Sequence, residues 1–144
     1  MTAPLVAALF FTVALLVTHA YFLFGSMPLL ILKHDNPMDS RFIRGFFNTY
    51  YSASMFIATA AAASYGLAGK AGLAAGAVGL ALLANLLRRR VIPKMDSLRP
   101  QIEVSGAGAI PAFRRMHVAA ILVNLAQLVI IVWSLIAFSM QLRG

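Results

Sequence analysis

The stretch FRRMHVAAILVNLAQLVIIVW, residues 113–133, decides the fold class because it is apolar enough for lipid and still carries polar side chains. A helix needs about 20 consecutive apolar residues to cross the hydrocarbon core of a bilayer. Four stretches of the chain meet this need, at about residues 4–32, 42–67, 71–92 and 112–140. We therefore predict an all-α, integral membrane four-helix bundle that forms a single domain over residues 1–144.

The overall composition agrees with a membrane protein. Hydrophobic residues make up 61% of the chain and charged residues 11%, with a mean hydropathy of +0.85, whereas a soluble domain has about 25% charged residues. The first apolar stretch has no Lys or Arg before Lys33 and is longer than the apolar core of a signal peptide, so we expect it to remain as a helix. The chain has no cysteine, which excludes disulfides and thiolate chemistry.

The distribution of basic residues predicts the orientation in the membrane. Ten of the twelve Lys and Arg residues flank the first and third connections, and the other two are Lys70 and Arg143. Basic residues beside spans stay in the cytoplasm, so we expect both termini outside the cytoplasm, in a bacterial inner membrane. The same residues would attract anionic lipid headgroups. The expected partners are therefore the lipid bilayer and a membrane protein or a second copy of the chain, and not nucleic acid.

The acidic residues argue against several functional classes. All four lie in the first and third connections, at Asp35, Asp39, Asp96 and Glu103. A proton-coupled transporter or a di-iron centre places carboxylates inside the spans. The sequence also contains no GxSxG nucleophile motif and no phosphate-binding glycine loop. We predict no cofactor.

Polar side chains from three predicted helices fall at a similar depth. The spacing of His117, Asn124 and Gln127 puts them near one face of the fourth helix. Asn48 follows Arg44 by one turn on the second helix, and an asparagine precedes Arg88 by about one turn on the third. Either this cluster binds the helices to one another, or it lines a small pocket open to the cytoplasm. The ligand-binding candidates of that pocket are Arg44, Asn48, Asn85, His117, Asn124 and Gln127.

The histidines are the candidates for chemistry, because ionisable side chains inside spans are often functional. His117 is the candidate acid or base of a membrane oxygenase or a quinone-reactive enzyme. His19 is the candidate ligand of a haem or metal, but it lies about 12 Å deeper than His117 at 1.5 Å per residue, which argues against a shared metal. We therefore predict no metal site and a neutral His19 that bonds to a neighbouring helix.

Local signals predict how the helices begin, end and pack. Asp39 and Ser40 are expected to cap the second helix just before Arg41. Pro93 is expected to end or bend the third helix, followed by a polar connection over residues 94–111. The glycines at positions 72 and 76 form a GxxxG pattern, which predicts close packing of the second and third helices.

Four segments, FLFGSMPLLIL, FFNTYYSAS, NLLRRRVIPKMDSLR and FRRMHVAAILVNLAQLV, occur in this order. Their succession resembles the family of small four-helix membrane proteins called domain of unknown function 4149, which includes transmembrane protein 205. Ala120 departs from the family pattern, which has a small hydroxyl residue there. The chain is also similar, as a second choice, to the anthrone-oxygenase-like membrane proteins. The positions that carry the main resemblance are Pro28, Tyr50, Tyr51, Asn85, Pro93, Phe113, His117, Asn124 and Leu125.

The resemblance implies a four-helix membrane fold and leaves the activity open. From the residues, we expect an integral membrane protein that binds a small amphiphile, a lipid or a partner helix at the cytoplasm-facing polar cluster. The alternatives are the enzyme that uses His117 and the haem or metal protein that uses His19. The sequence does not establish that the protein is an enzyme.

Overall fold

The computed structural model describes residues 1–33, 36–105 and 108–143, with the backbone alone at 37, 105 and 141–143. Within these ranges the chain forms four helices and no strands. They are α1 (Ala3–Leu29), α2 (Pro37–Leu67), α3 (Ala71–Ser105) and α4 (Ala109–Arg143). The predicted all-α four-helix bundle is confirmed.

Consecutive helices run antiparallel. The first half of α1 contacts the end of α2, where the hydroxyls of Thr12 and Tyr65 lie 2.9 Å apart. The start of α4 contacts the end of α1, where Arg114 donates a hydrogen bond of 2.9 Å to the Leu30 carbonyl. α2 packs against α1 and α3, and α4 packs against the same two helices. We call the end with the α1–α2 and α3–α4 connections the basic end. The opposite end holds the termini and the turn between α2 and α3.

Three of the four helices are long and apolar enough to cross a membrane, namely α1, α3 and α4. This indicates a membrane protein. α2 is 31 residues long, but its first half carries the polar sequence DSRFIRGFFNTYYS, which lowers its hydropathy. Three of these polar side chains, Arg44, Asn48 and Tyr50, form hydrogen bonds with α3 or α4, which reduces their cost in lipid.

The start of α2 differs from the prediction. The helix begins at Pro37, with Asn36 as its cap, and the Asn36 side chain accepts a hydrogen bond of 2.9 Å from the Met38 amide. Asp39 and Ser40 lie inside the first turn and do not cap the helix. Asparagine is a preferred cap, and proline suits the first helical position because its missing amide would have no partner there.

Of the two effects predicted for Pro93, an end of the helix is wrong, since α3 continues through Pro93 and Pro100 to Ser105. A proline inside a helix removes a hydrogen bond and costs about 3 kcal/mol. The cost is offset by packing, because one face of this segment is buried at spacings of three and four residues. That face contacts α2 and the start of α4, which begins at Ala109 rather than near 112. Its buried residues are Ile92, Met95, Leu98 and Ile102.

The packing of α2 and α3 is extensive, as predicted, but the GxxxG pattern does not mediate it. Gly72, Gly76 and Gly79 are exposed, and a Cβ at any of them would meet no atom within 4 Å. These glycines instead line a cavity of about 310 Å³ near the end with the termini, which α3 shares with Ile131 and Ser134 of α4. The glycine face therefore opens a space and does not close a helix interface.

Candidate functional site

Tyr50 of α2 lies at the centre of a buried polar cluster that joins helices on opposite sides of the bundle. Its hydroxyl accepts a hydrogen bond of 2.8 Å from Nδ2 of Asn124 and donates one of 3.4 Å to Oε1 of Gln127. Tyr50 is 7% exposed, Asn124 1% and Gln127 5%. Since α2 and α4 are diagonal in the bundle, these side-chain bonds fix the relative position of two helices whose backbones do not pack directly.

His19 of α1 belongs to the same cluster. Its ring meets the ring of Tyr50 edge to face, with centroids 5.4 Å apart, and is 1% exposed. Nδ1 of His19 lies 2.9 Å from the Leu15 carbonyl one turn earlier on α1. Nδ1 of His19 therefore bonds within its own helix, whereas the ring contacts Tyr50 of α2 and the side chain interacts with Gln127 of α4. The predicted bond to a neighbouring helix stays a prediction.

His117 lies closer to the basic end than the Tyr50 hydroxyl. Nε2 of His117 donates to the Ser26 carbonyl of α1 over 3.1 Å, and its ring meets Phe47 edge to face at 5.1 Å. The side chain is 0% exposed. Thus His117, Asn124 and Gln127 are all buried on one face of α4, but His117 contacts α1 and Phe47 while the two amides contact Tyr50.

The other three predicted site residues lie on a second surface, between α2 and α3. Arg44 forms two hydrogen bonds with the carboxylate of Asp96, at 3.0 and 3.1 Å, and Asn48 accepts one of 3.0 Å from Arg88. Asn85 is half-buried on α3. In the part of the chain that the structure describes, no hydrogen bond joins these residues to the α4 face. The predicted single cluster is thus two: a buried centre around Tyr50, and a partly exposed ionic surface.

A groove of about 640 Å³ runs between α1 and α2 on the outside of the bundle. Arg41 lies at its basic end, the aromatic rings of Tyr21, Phe42 and Phe46 form its walls, and the ring of Tyr50 contributes to its floor. Gly45 leaves its middle open, because a Cβ there would meet no atom within 4 Å. The remaining lining residues are Val17, Thr18, Thr49 and Ala53.

The sequence patterns predicted neither the central position of Tyr50 in the polar cluster nor the groove between α1 and α2. One signal was present for the buried centre: Ser54 follows Tyr50 by four residues, so both lie on one face of α2. The groove had no comparable signal. It depends on Gly45 facing outward between aromatic residues, and glycine spacing alone does not show which way a helix face turns.

Among the described residues, no group of three or more His, Asp or Glu side chains is arranged to hold a metal ion. His34 lies outside those residues. His19 and His117 contact different levels of α2, at Tyr50 and Phe47 respectively.

Comparison with known proteins adds no assignment, since no protein-family model, curated protein or solved structure matches this chain. The resemblance to the domain of unknown function 4149 family therefore stays a prediction.

Proposed function

We propose that this membrane protein binds one amphiphile with an anionic headgroup, such as an acidic phospholipid, in the groove between α1 and α2. The observation that carries the proposal is the pairing of an apolar groove of about 640 Å³ with Arg41 at its basic end. Ligand sites are mostly apolar clefts of about 300–1,000 Å³ with a few polar groups that fix the orientation of the ligand.

None of the described residues forms an ion pair with Arg41, so within that part of the chain its charge is available to a ligand. Arg44, one turn further along α2, is held by Asp96, and Arg88 is bonded to Asn48. Arg41 is exposed at the groove mouth. A guanidinium binds phosphate through paired hydrogen bonds, while the walls of the groove suit an acyl chain. The headgroup would lie at the level of Arg41 and the chain would run past Gly45 toward Val17.

We propose the same orientation as the basic residues predict, with the basic end in the cytoplasm and both termini outside, in a bacterial inner membrane. In this orientation the mouth of the groove faces the cytoplasmic leaflet, whose anionic lipids attract basic segments by about 1 kcal/mol per Lys or Arg. We therefore propose the groove as the ligand site, in place of the polar cluster that the sequence predicts.

The described residues give less support to the alternative function, an enzyme that uses His117 as an acid or base. The side chain is fully buried and bonded to the Ser26 carbonyl, and neither His117 nor His19 lines the groove. An acid or base needs to come within hydrogen-bonding reach of its substrate. A partner helix or a second copy stays a prediction for other faces of the bundle.

The test is native mass spectrometry of protein released from membranes that contain zwitterionic and acidic phospholipids. We expect one acidic phospholipid to stay bound to the wild-type chain and Arg41→Gln to reduce its occupancy about tenfold, the effect of 1.4 kcal/mol lost from one charged hydrogen bond. The matched control is Arg115→Gln, which removes an exposed arginine at the same end of the bundle but outside the groove. Equal occupancy in both variants, or retention of zwitterionic lipid alone, contradicts the proposal.

A further inference from the structure

We infer that the buried centre around Tyr50 is a water site, in which ordered water bridges α1, α2 and α4 inside the membrane. This inference is independent of the ligand in the groove. It rests on three buried polar atoms, Nε2 of His19, Oγ of Ser54 and Oδ1 of Asn124, that have no partner at hydrogen-bonding distance and angle within the described residues. The side chain of Gln127 faces His19 and that of Tyr50 faces Ser54, but neither pair reaches that geometry.

The three atoms share one neighbour. His19 meets the Tyr50 ring, Asn124 donates to the Tyr50 hydroxyl, and Ser54 lies one turn after Tyr50 on α2. The side chains of His19, Ser54 and Asn124 are each at most 2% exposed. Leaving a buried polar group without a hydrogen bond costs about 1–3 kcal/mol. Three such groups at one place would therefore lower the free energy of unfolding of this small bundle considerably.

The hydrogen-bonding capacity of these atoms matches that of water. A carbonyl only accepts, so Nδ1 of His19 carries the hydrogen that it shares with Leu15, and Nε2 of the neutral ring is an acceptor. Oδ1 of Asn124 is a second acceptor, because Nδ2 of the same amide serves Tyr50. Water offers two hydrogens to these acceptors and can accept from the Ser54 hydroxyl. Buried waters typically make about three such hydrogen bonds.

A cation is a poorer occupant of the same centre. All four acidic residues of the chain lie near the helix ends at the basic end or in the connections there, at positions 35, 39, 96 and 103. No carboxylate is therefore available within the central turns of the helices to balance a buried positive charge, and the desolvation of an ion without a counter-charge costs several kcal/mol. A neutral molecule that both donates and accepts satisfies the centre without that cost.

The test is a water-edited solid-state NMR experiment on the full chain in bilayers of deuterated lipid, with labelled histidine, leucine and serine. We expect magnetisation from water to reach the His19 ring several times faster than the methyl groups of Leu15, which is 2% exposed and one turn away. Ser97, which is exposed, gives the rate for a hydrated residue. The His19 signal is assigned by its loss in His19→Phe.

Two variants test whether the transfer from water to His19 depends on the buried centre. Asn124→Leu removes one acceptor and fills the space with an apolar side chain, so transfer to His19 should fall to the Leu15 rate. Ser134→Ala is the control, since this hydroxyl bonds to the Ile130 carbonyl of its own helix and the transfer should not change. A His19 rate equal to that of Leu15 in the wild-type protein overturns the inference, and so does a fast rate that Asn124→Leu leaves unchanged.

Discussion

Tyr50 belongs both to the groove and to the buried polar cluster, since it lines the groove and its hydroxyl bonds to two amide side chains of α4. The spacing of His117, Asn124 and Gln127 was readable from the sequence because it needs only helical periodicity. The partner on α2 was not, because several Tyr, Asn and Ser side chains of α2 were equivalent candidates. The rotation of α2 about its axis decides among them, and tertiary packing sets that rotation.

The first prediction concerns the hydrogen bond between Asn124 and Tyr50. Asn124→Ala should lower the free energy of unfolding in detergent or bicelles by about 1–2 kcal/mol, because hydrogen bonds between membrane helices reach about 1.7 kcal/mol and a buried partner is left unpaired. Asn48→Ala is the comparison, since Asn48 is half-buried and its partner Arg88 can bind water. Its effect should stay below about 1 kcal/mol. The account of the buried centre fails if the Asn124 variant is as stable as the wild type.

At the scale of elements, the length of α3 differs most from what the sequence predicts. Two prolines predict an end to the helix, yet α3 continues for a further 12 residues after Pro93. The burial of Ile92, Met95 and Leu98 shows the competing signal, an apolar face with helical spacing inside a segment that otherwise looks polar. The local cost of proline was predictable, whereas the gain from packing against α2 and α4 depends on where those helices lie. At 1.5 Å per residue α3 is ~50 Å long, well beyond the ~30 Å hydrocarbon core.

The second prediction tests whether this extension is part of the folded bundle. Met95 is 0% exposed and belongs to the same apolar cluster as Ile43 and Phe113. Met95→Ala should lower the free energy of unfolding by about 2–5 kcal/mol, the usual cost of truncating a buried methionine. Lys94→Ala, on the exposed side of the same turn, should change it by less than about 0.5 kcal/mol. Equal effects of the two substitutions would mean that residues 94–105 do not pack as described.

For the whole molecule, the composition and the four apolar stretches were sufficient to predict the helix number and the fold class. They were not sufficient to predict the cavities, because these depend on how far neighbouring helices separate. The glycines of α3 illustrate the limit: the same pattern is compatible with a close helix contact or with an open face, and here the face is open.

The third prediction concerns topology. Among the described helices, only α1, α3 and α4 meet the length and hydropathy expected of a span, and three spans would put the termini on opposite sides. The antiparallel packing of α2 between α1 and α3 favours four spans and termini on one side. A reporter that is active only in the cytoplasm should therefore be silent when fused before Met1 or after Gly144, and active when inserted next to Gly108. Activity at one terminus alone supports three spans and contradicts this arrangement.

The central claim, that the α1–α2 groove holds an acidic phospholipid, is tested most directly by filling the groove. Gly45→Leu places a side chain where a Cβ meets no atom within 4 Å, so the bundle should remain folded while the groove is obstructed. Gly66→Leu is the matched control, because Gly66 is an exposed glycine of the same helix with equally open surroundings and lies outside the groove. The measurement is the number of acidic phospholipid molecules that co-purify per chain, by native mass spectrometry. We predict one for the wild type and for Gly66→Leu and none for Gly45→Leu with an unchanged melting temperature. Retention of the lipid by a folded Gly45→Leu protein would contradict the claim.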